Sequence, residues 1–167
     1  MIDQLKKLVE NYAGDAVIRN SEVPDEKNAE AIEAISSGIE EGLQNEVRQG
    51  KYEGFLSMFQ QGGLQSMSSN PAVSGIMNSV VGNLSSRLGL SPQVSQSIAT
   101  SLIPMVMNGL VNKTNDPNDN DFDLQDMLRS FSGKEGLNVS EILGKFTGGS
   151  KAGGGVGDML GKMFGNK

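Results

Sequence analysis

The sequence predicts an all-α protein: an irregular bundle of about five or six short to medium helices, followed by a glycine-rich C-terminal tail of short amphipathic helices. Three observations predict it. Apolar residues recur at three- and four-residue steps along most of the chain. Two helix starts are written as a capping residue followed by proline, Asn70-Pro71 and Ser91-Pro92. The last third repeats one amphipathic pattern between glycines. Residues 1–131 are expected to form a helical core domain and residues 132–167 a glycine-rich repeat tail.

Ile2, Leu5, Leu8 and Val9 open the chain with a helix running to about Ala16 or Ile18, and Asn20-Ser21 breaks it. Pro24-Asp25-Glu26 reads as the first turn of a long second helix ending near Arg48, its acids lying at the positive end of the dipole. Ala29, Ile32, Ile35, Ile39, Leu43 and Val47 line one face of it, and Glu30, Glu33, Glu40, Glu41 and Glu46 fill the solvated remainder. A short helix follows over Tyr52–Phe59, then a Gly/Ser/Gln loop over Gln61–Ser69. The next helix starts at Asn70-Pro71, spaces Val73, Ile76, Met77, Val80, Val81, Leu84 and Leu88 at three- and four-residue steps, and stops at Gly89. Its successor starts at Ser91-Pro92 and carries Val94, Ile98 and Leu102. Pro104 predicts a kink or break in it, because proline lacks the backbone donor and pushes on the carbonyl of Thr100. These last two helices are expected to pack centrally on each other.

Charge sharpens the division. Residues 1–53 hold 12 acids and 6 bases, whereas residues 54–112 hold one charge, Arg87. The chain as a whole has 20 acids against 14 Lys plus Arg, with no basic cluster, so no nucleic-acid partner is expected. Cysteine, histidine and tryptophan are absent, which removes histidine triads, cysteine nucleophiles, disulfides and Cys/His zinc sites. Charges within Met1–Gly14 speak against a secretory signal, and no stretch reads as a transmembrane segment, so a cytoplasmic location is expected.

The run from Asn115 to Asp123 alternates oxygen-bearing side chains as a hard cation requires. Counting from Asp116, however, the sixth position is Asp121 rather than glycine and the twelfth is Met127 rather than glutamate, so it is not an EF-hand. Turn formation by Pro117 and capping of a helix at Leu124 by Asp123 explain these residues without a metal. Asp116, Asn118, Asp119, Asp121 and Asp123 stay weak candidates for adventitious cation binding. No cofactor is expected, and the glycines near Lys151 and Lys162 lack the order of a phosphate loop.

Three segments starting at Asp123, Asn138 and Gly155 share one grammar: an acid, two apolar residues, then a base one or two positions on. Each reads as a two-turn amphipathic helix with a glycine stop, too short to stand alone in water. Ile142, Leu143 and Phe146, then Met159, Leu160 and Phe164, are the candidate interaction residues. They call for a neighbour: the core, a second copy, or a partner protein.

Met1-Ile2-Asp3-Gln4-Leu5, Ser69-Asn70-Pro71, Ala99-Thr100-Ser101-Leu102-Ile103-Pro104 and Asn112-Lys113-Thr114-Asn115-Asp116-Pro117 resemble the YidB-like bacterial family, a domain of unknown function. The likeness spans most of the chain and is strongest from Asn70 to Gly133. It implies an all-helical domain and carries over no catalytic residues. The function expected is a non-enzymatic helical scaffold or protein-interaction module, acting on an unknown protein partner or by self-association. Two alternatives stand beside it: a hydrolase or transferase using carboxylates and a metal at Asp119, Asp121 and Asp123, and a membrane-peripheral protein.

Overall fold

Asn70 and Ser91 set the frame by capping the two helices that follow them. The computed structural model describes residues 1–132 and, beyond them, Ile142 and Gly144. Asn70 Oδ1 accepts from the backbone N–H of Ala72 at 2.8 Å, and Ser91 Oγ accepts from that of Val94 at 3.3 Å. Each cap satisfies a donor that the first helical turn leaves unpaired, and the proline after it has no donor to lose. In chain order the helices are α1 (Ile2–Ala13), α2 (Asn28–Arg48), α3 (Tyr52–Gln61), α4 (Leu64–Ser69), α5 (Pro71–Leu88), α6 (Pro92–Asn115) and α7 (Leu124–Ser132). A π-helical turn, Gly14–Ile18, continues α1, and a 3₁₀ turn, Asp25–Lys27, leads into α2. Among the described residues there is no strand, so the fold is an all-helical bundle.

Three expectations change. The described residues hold seven α-helices rather than five or six, because Leu64–Ser69 is helical and not loop. Gly62 and Gly63 turn the chain at φ 41° and 90°, and Gly63 N–H donates to Asn108 Oδ1 at 2.9 Å. Burial of Met67 then holds a turn that its polar sequence would not form unaided. Second, of the kink or break expected at Pro104, the break does not occur: α6 runs through it to Asn115. Pro104 lies buried beside Leu102, Ile103, Val106 and Met107, and that packing holds the helix across the missing bond. Third, α5 and α6 do pack together, but α2 is the more extensive partner of α5.

The α2–α5 crossing is close because α2 carries small residues there. A Cβ at Gly38 would lie 2.7 Å from the Val80 Cα, and one at Gly42 the same distance from the Ile76 Cα, so only glycine lets the two backbones meet. Ala31, Ala34, Ile35, Ile39 and Leu43 complete the buried face, while Ala29, expected on it, is exposed. α1 packs on α2 and α6, and α7 closes onto α2 with Met127, Leu128 and Phe131. α6 is long and apolar enough to cross a membrane by length and composition, contrary to the expectation that no stretch is; 61% of its most apolar window is buried inside the bundle. Leu143, Phe146, Met159, Leu160 and Phe164, with the tail helices they were assigned to, lie outside the described residues.

Candidate functional site

The Asp/Asn loop is built from local bonds. Asp116 Oδ1 accepts from the backbone N–H of Asn118 at 2.9 Å, and Asp119 Oδ1 from that of Asp121 at 3.0 Å. Asp123 Oδ1 caps α7, accepting from the N–H groups of Gln125 and Asp126 at 2.9 and 3.1 Å. Lys113, near the end of α6, reaches Asp119 Oδ2 at 2.8 Å. That bond, helped by the Asp121 N–H, holds the Asp119 carboxyl below the ordinary carboxylate range, and the same bond raises Lys113. The carboxylates of Asp116, Asp119 and Asp123 thus turn towards nearby backbone and one lysine, while Asp121 is exposed. Among the described residues no three Asp or Glu side chains are grouped so as to hold a metal.

A different corner gathers features of a binding surface. The end of α2, the start of α3 and the start of α5 meet around a groove of about 550 Å³, lined by Glu46, Tyr52, Gly54, Leu56, Pro71 and Ala72 among others. Local structure explains why these residues converge. Gly50, at φ 74°, ends α2 and turns the chain into α3. Asn70 Nδ2 then ties α3 to the start of α5, donating to the Gly54 carbonyl at 3.2 Å and to Ser57 Oγ at 3.0 Å. Behind the groove wall, Phe55 and Phe59 pack as a tilted ring pair 5.2 Å apart. Ile142, one of the six candidate interaction residues, lines this groove, half-buried against the core.

Glu46 belongs to the same groove, and the sequence does not reveal it. Its heptad position places it among the glutamates of the solvated face, yet it is 7% exposed, the one ionisable side chain buried among the described residues. Its Oε1 lies over the α5 backbone, 2.7 Å from where a Cβ at Gly75 would stand. The carboxylate has neither an ion pair nor a hydrogen bond. The one signal available was Gly75 itself: a glycine on the facing helix makes room for a side chain from α2. The acids at Glu30, Glu33 and Glu41 do face solvent as their spacing predicts.

A second cavity, of about 460 Å³, lies between α1 and α6 and is lined by Asn11, Tyr12, Asp15, Arg19, Ser101 and Met105. Its charges, Asp15 and Arg19, pair with each other at 2.9 Å in solvent. Such an exposed pair contributes little and leaves no group poised for chemistry.

Residues 72–167 match the family described as bacterial protein of unknown function (DUF937). No curated protein matches the chain, and no solved structure does.

Proposed function

We propose that this chain, which belongs to the DUF937 family of bacterial proteins, works as a non-enzymatic helical scaffold that makes protein contacts through its short amphipathic tail units. The observation that carries the reading is Ile142 at the groove between α2, α3 and α5: a residue of one tail unit lines that corner and packs, half-buried, against the core. Supporting it, several described polar side chains hold elements of the bundle together. Lys27 Nζ caps the Leu88 carbonyl at 3.1 Å, Asn115 Nδ2 reaches the Phe59 carbonyl at 3.1 Å, and Asn83 Nδ2 meets Glu41 at 3.2 Å. A cytoplasmic setting, with a second copy or another protein as partner, completes the proposal.

Sedimentation equilibrium tests it. The full chain is compared with a variant in which Leu143, Phe146, Leu160 and Phe164 are all replaced by Asp. The reading expects a concentration-dependent increase in mass, or capture of a partner, that this variant loses while keeping its helical circular dichroism. Equal mass and equal capture for both chains would reject the contact role.

A further inference from the structure

We infer that the groove between α2, α3 and α5 is the docking site for this chain's own first tail unit, residues 141–146, with Lys145 pairing with the Glu46 carboxylate that borders it. This deepens the proposed function and rests on it: the groove would hold one tail unit in cis and leave the second, around Met159 and Leu160, for another molecule.

Four observations carry the inference. Ile142 already forms part of the groove's wall, packed against the core, and it and Gly144 are helical. Lys145 follows Ile142 by three residues in the sequence, the spacing at which two side chains share a helix face. Glu46 lines the groove, is 7% exposed and has no ion pair, so a cation brought to the groove gains a charge-assisted contact with its carboxylate. Finally, the charges are complementary. Residues 1–132 carry 17 acids and 9 bases, while residues 133–167 carry 3 acids and 5 bases. Attraction between an acidic core and a basic tail favours docking of the tail on the body that carries it. Reach is no obstacle: Ile142 lies ten positions beyond Ser132, and an extended chain of that length spans roughly 33 Å.

The occupant is the first unit rather than the second for a physical reason. Both units read acid, apolar, Leu, Gly, Lys: Glu141-Ile142-Leu143-Gly144-Lys145 and Asp158-Met159-Leu160-Gly161-Lys162. The second lies 17 residues farther along, beyond the glycines at 153–155. A longer flexible tether lowers the effective concentration at the groove, so the nearer unit of like composition wins.

Carbodiimide coupling on the unmodified full chain at low concentration tests the pairing, because it joins a carboxylate to an amine only at ion-pair distance. The expected product is an intramolecular Glu46–Lys145 amide, found by peptide mapping and lost in Lys145→Gln. A mixture of isotope-labelled and unlabelled chains separates cis from trans coupling. Coupling of Glu46 to Lys162, to Lys51 alone or only between chains would overturn the inference, as would no coupling at all. The chain has no tryptophan, so Ile142→Trp gives a second, independent reading. Its emission should be that of a shielded indole and should shift to the red when Lys145→Glu is added. Unchanged emission would overturn the pairing even if the tail still promotes association, and loss of association with coupling intact would sink the contact role alone.

Discussion

α2 and α6 grip the same helix, α5, from two directions, and they do so with opposite compositions. α2 carries Glu30, Glu33, Glu40, Glu41 and Glu46, whereas α6 carries a single charge, Lys113. By hydropathy α6 is the natural core helix, long and apolar enough to resemble a membrane span. Yet α2 makes the larger contact with α5. The difference teaches that burial here follows the shape of a face rather than the average of a helix. On α2 the residues Ala31, Ala34, Gly38 and Gly42 form a stripe without bulk, so two backbones approach until Gly38 and Gly42 meet Val80 and Ile76. Close approach multiplies weak dispersion contacts, and the glutamates are simply turned away. On α6 the buried side chains are larger, among them Ile98, Leu102, Val106 and Leu110.

Charge placed in either contact gives the largest expected effect. Ile35 in α2 and Ile98 in α6 are both essentially unexposed. Replacing either with Asp should cost about 4 kcal/mol or more, by burying an unpaired carboxylate in an apolar setting. At about 2–4 °C per kcal/mol for a chain of this size, thermal unfolding followed by circular dichroism should show a drop near or above 10 °C for both. A melting temperature unchanged in Ile35→Asp alone would break the claim that α2 is as central as α6.

Glycine substitutions separate the two contacts more finely. In Gly42→Ala the new methyl meets the Ile76 backbone at 2.7 Å, and backbone on two packed helices cannot step aside cheaply. A loss of about 1–3 kcal/mol is expected from overpacking, with Gly38→Ala behaving alike. Gly109→Ala in α6 also meets an obstacle, at 2.8 Å, but it is the ring of Tyr12, which is 37% exposed and free to swing outward. Its clash and its gain in helix propensity should nearly cancel. Gly82 has nothing within 4 Å of a Cβ, so Gly82→Ala should stabilise by about 0.5–1 kcal/mol through propensity alone. Urea unfolding of the four variants would show this order; a Gly42→Ala chain as stable as Gly82→Ala would mean that the α2–α5 approach is looser than described.

What the sequence made legible follows the same physics. Helices with a local signal were read well: the Asn70-Pro71 and Ser91-Pro92 starts and the Gly89 stop stand where their chemistry puts them. Interactions between distant parts were not. α4 depends on Met67 finding the core and on Asn108 receiving the Gly63 N–H across 45 residues, neither of which a local window contains. Glu46 was assigned to solvent because helical spacing cannot register that Gly75, on another helix, leaves a space beside it. Of the groove, only Ile142 was singled out in advance. Its walls belong to three helices whose meeting is a product of the fold.

The smallest effect is expected where α6 ends, and it sharpens the contrast in how the two helices use charge. α2 turns most of its charges to water, while α6 commits its one lysine to the loop that follows it, through the 2.8 Å pairing of Lys113 with Asp119. Asp119 is held below its ordinary value of 3.8 chiefly by the hydrogen bond from Lys113, so what the pair contributes is complete above that value and is lost as the pH falls through the lowered one. Lys113 is raised above 10.5 chiefly by the same bond, so its share is complete below that value and is lost as the pH rises through the raised one. Between these limits the loop should be indifferent to pH. Side-chain carboxyl NMR should place the Asp119 midpoint below 3.8, and Asp119→Asn should return Lys113 towards its ordinary range with the least change in melting temperature of all these variants. Because Asp116, Asp119 and Asp123 are already taken up by backbone donors and Lys113, calorimetric titration with calcium should show no stoichiometric event tighter than about 10 μM, within the range of sensor sites. An Asp119 midpoint at or above 3.8, or a tight calcium isotherm, would show that the loop holds its charges for a ligand rather than for the end of α6.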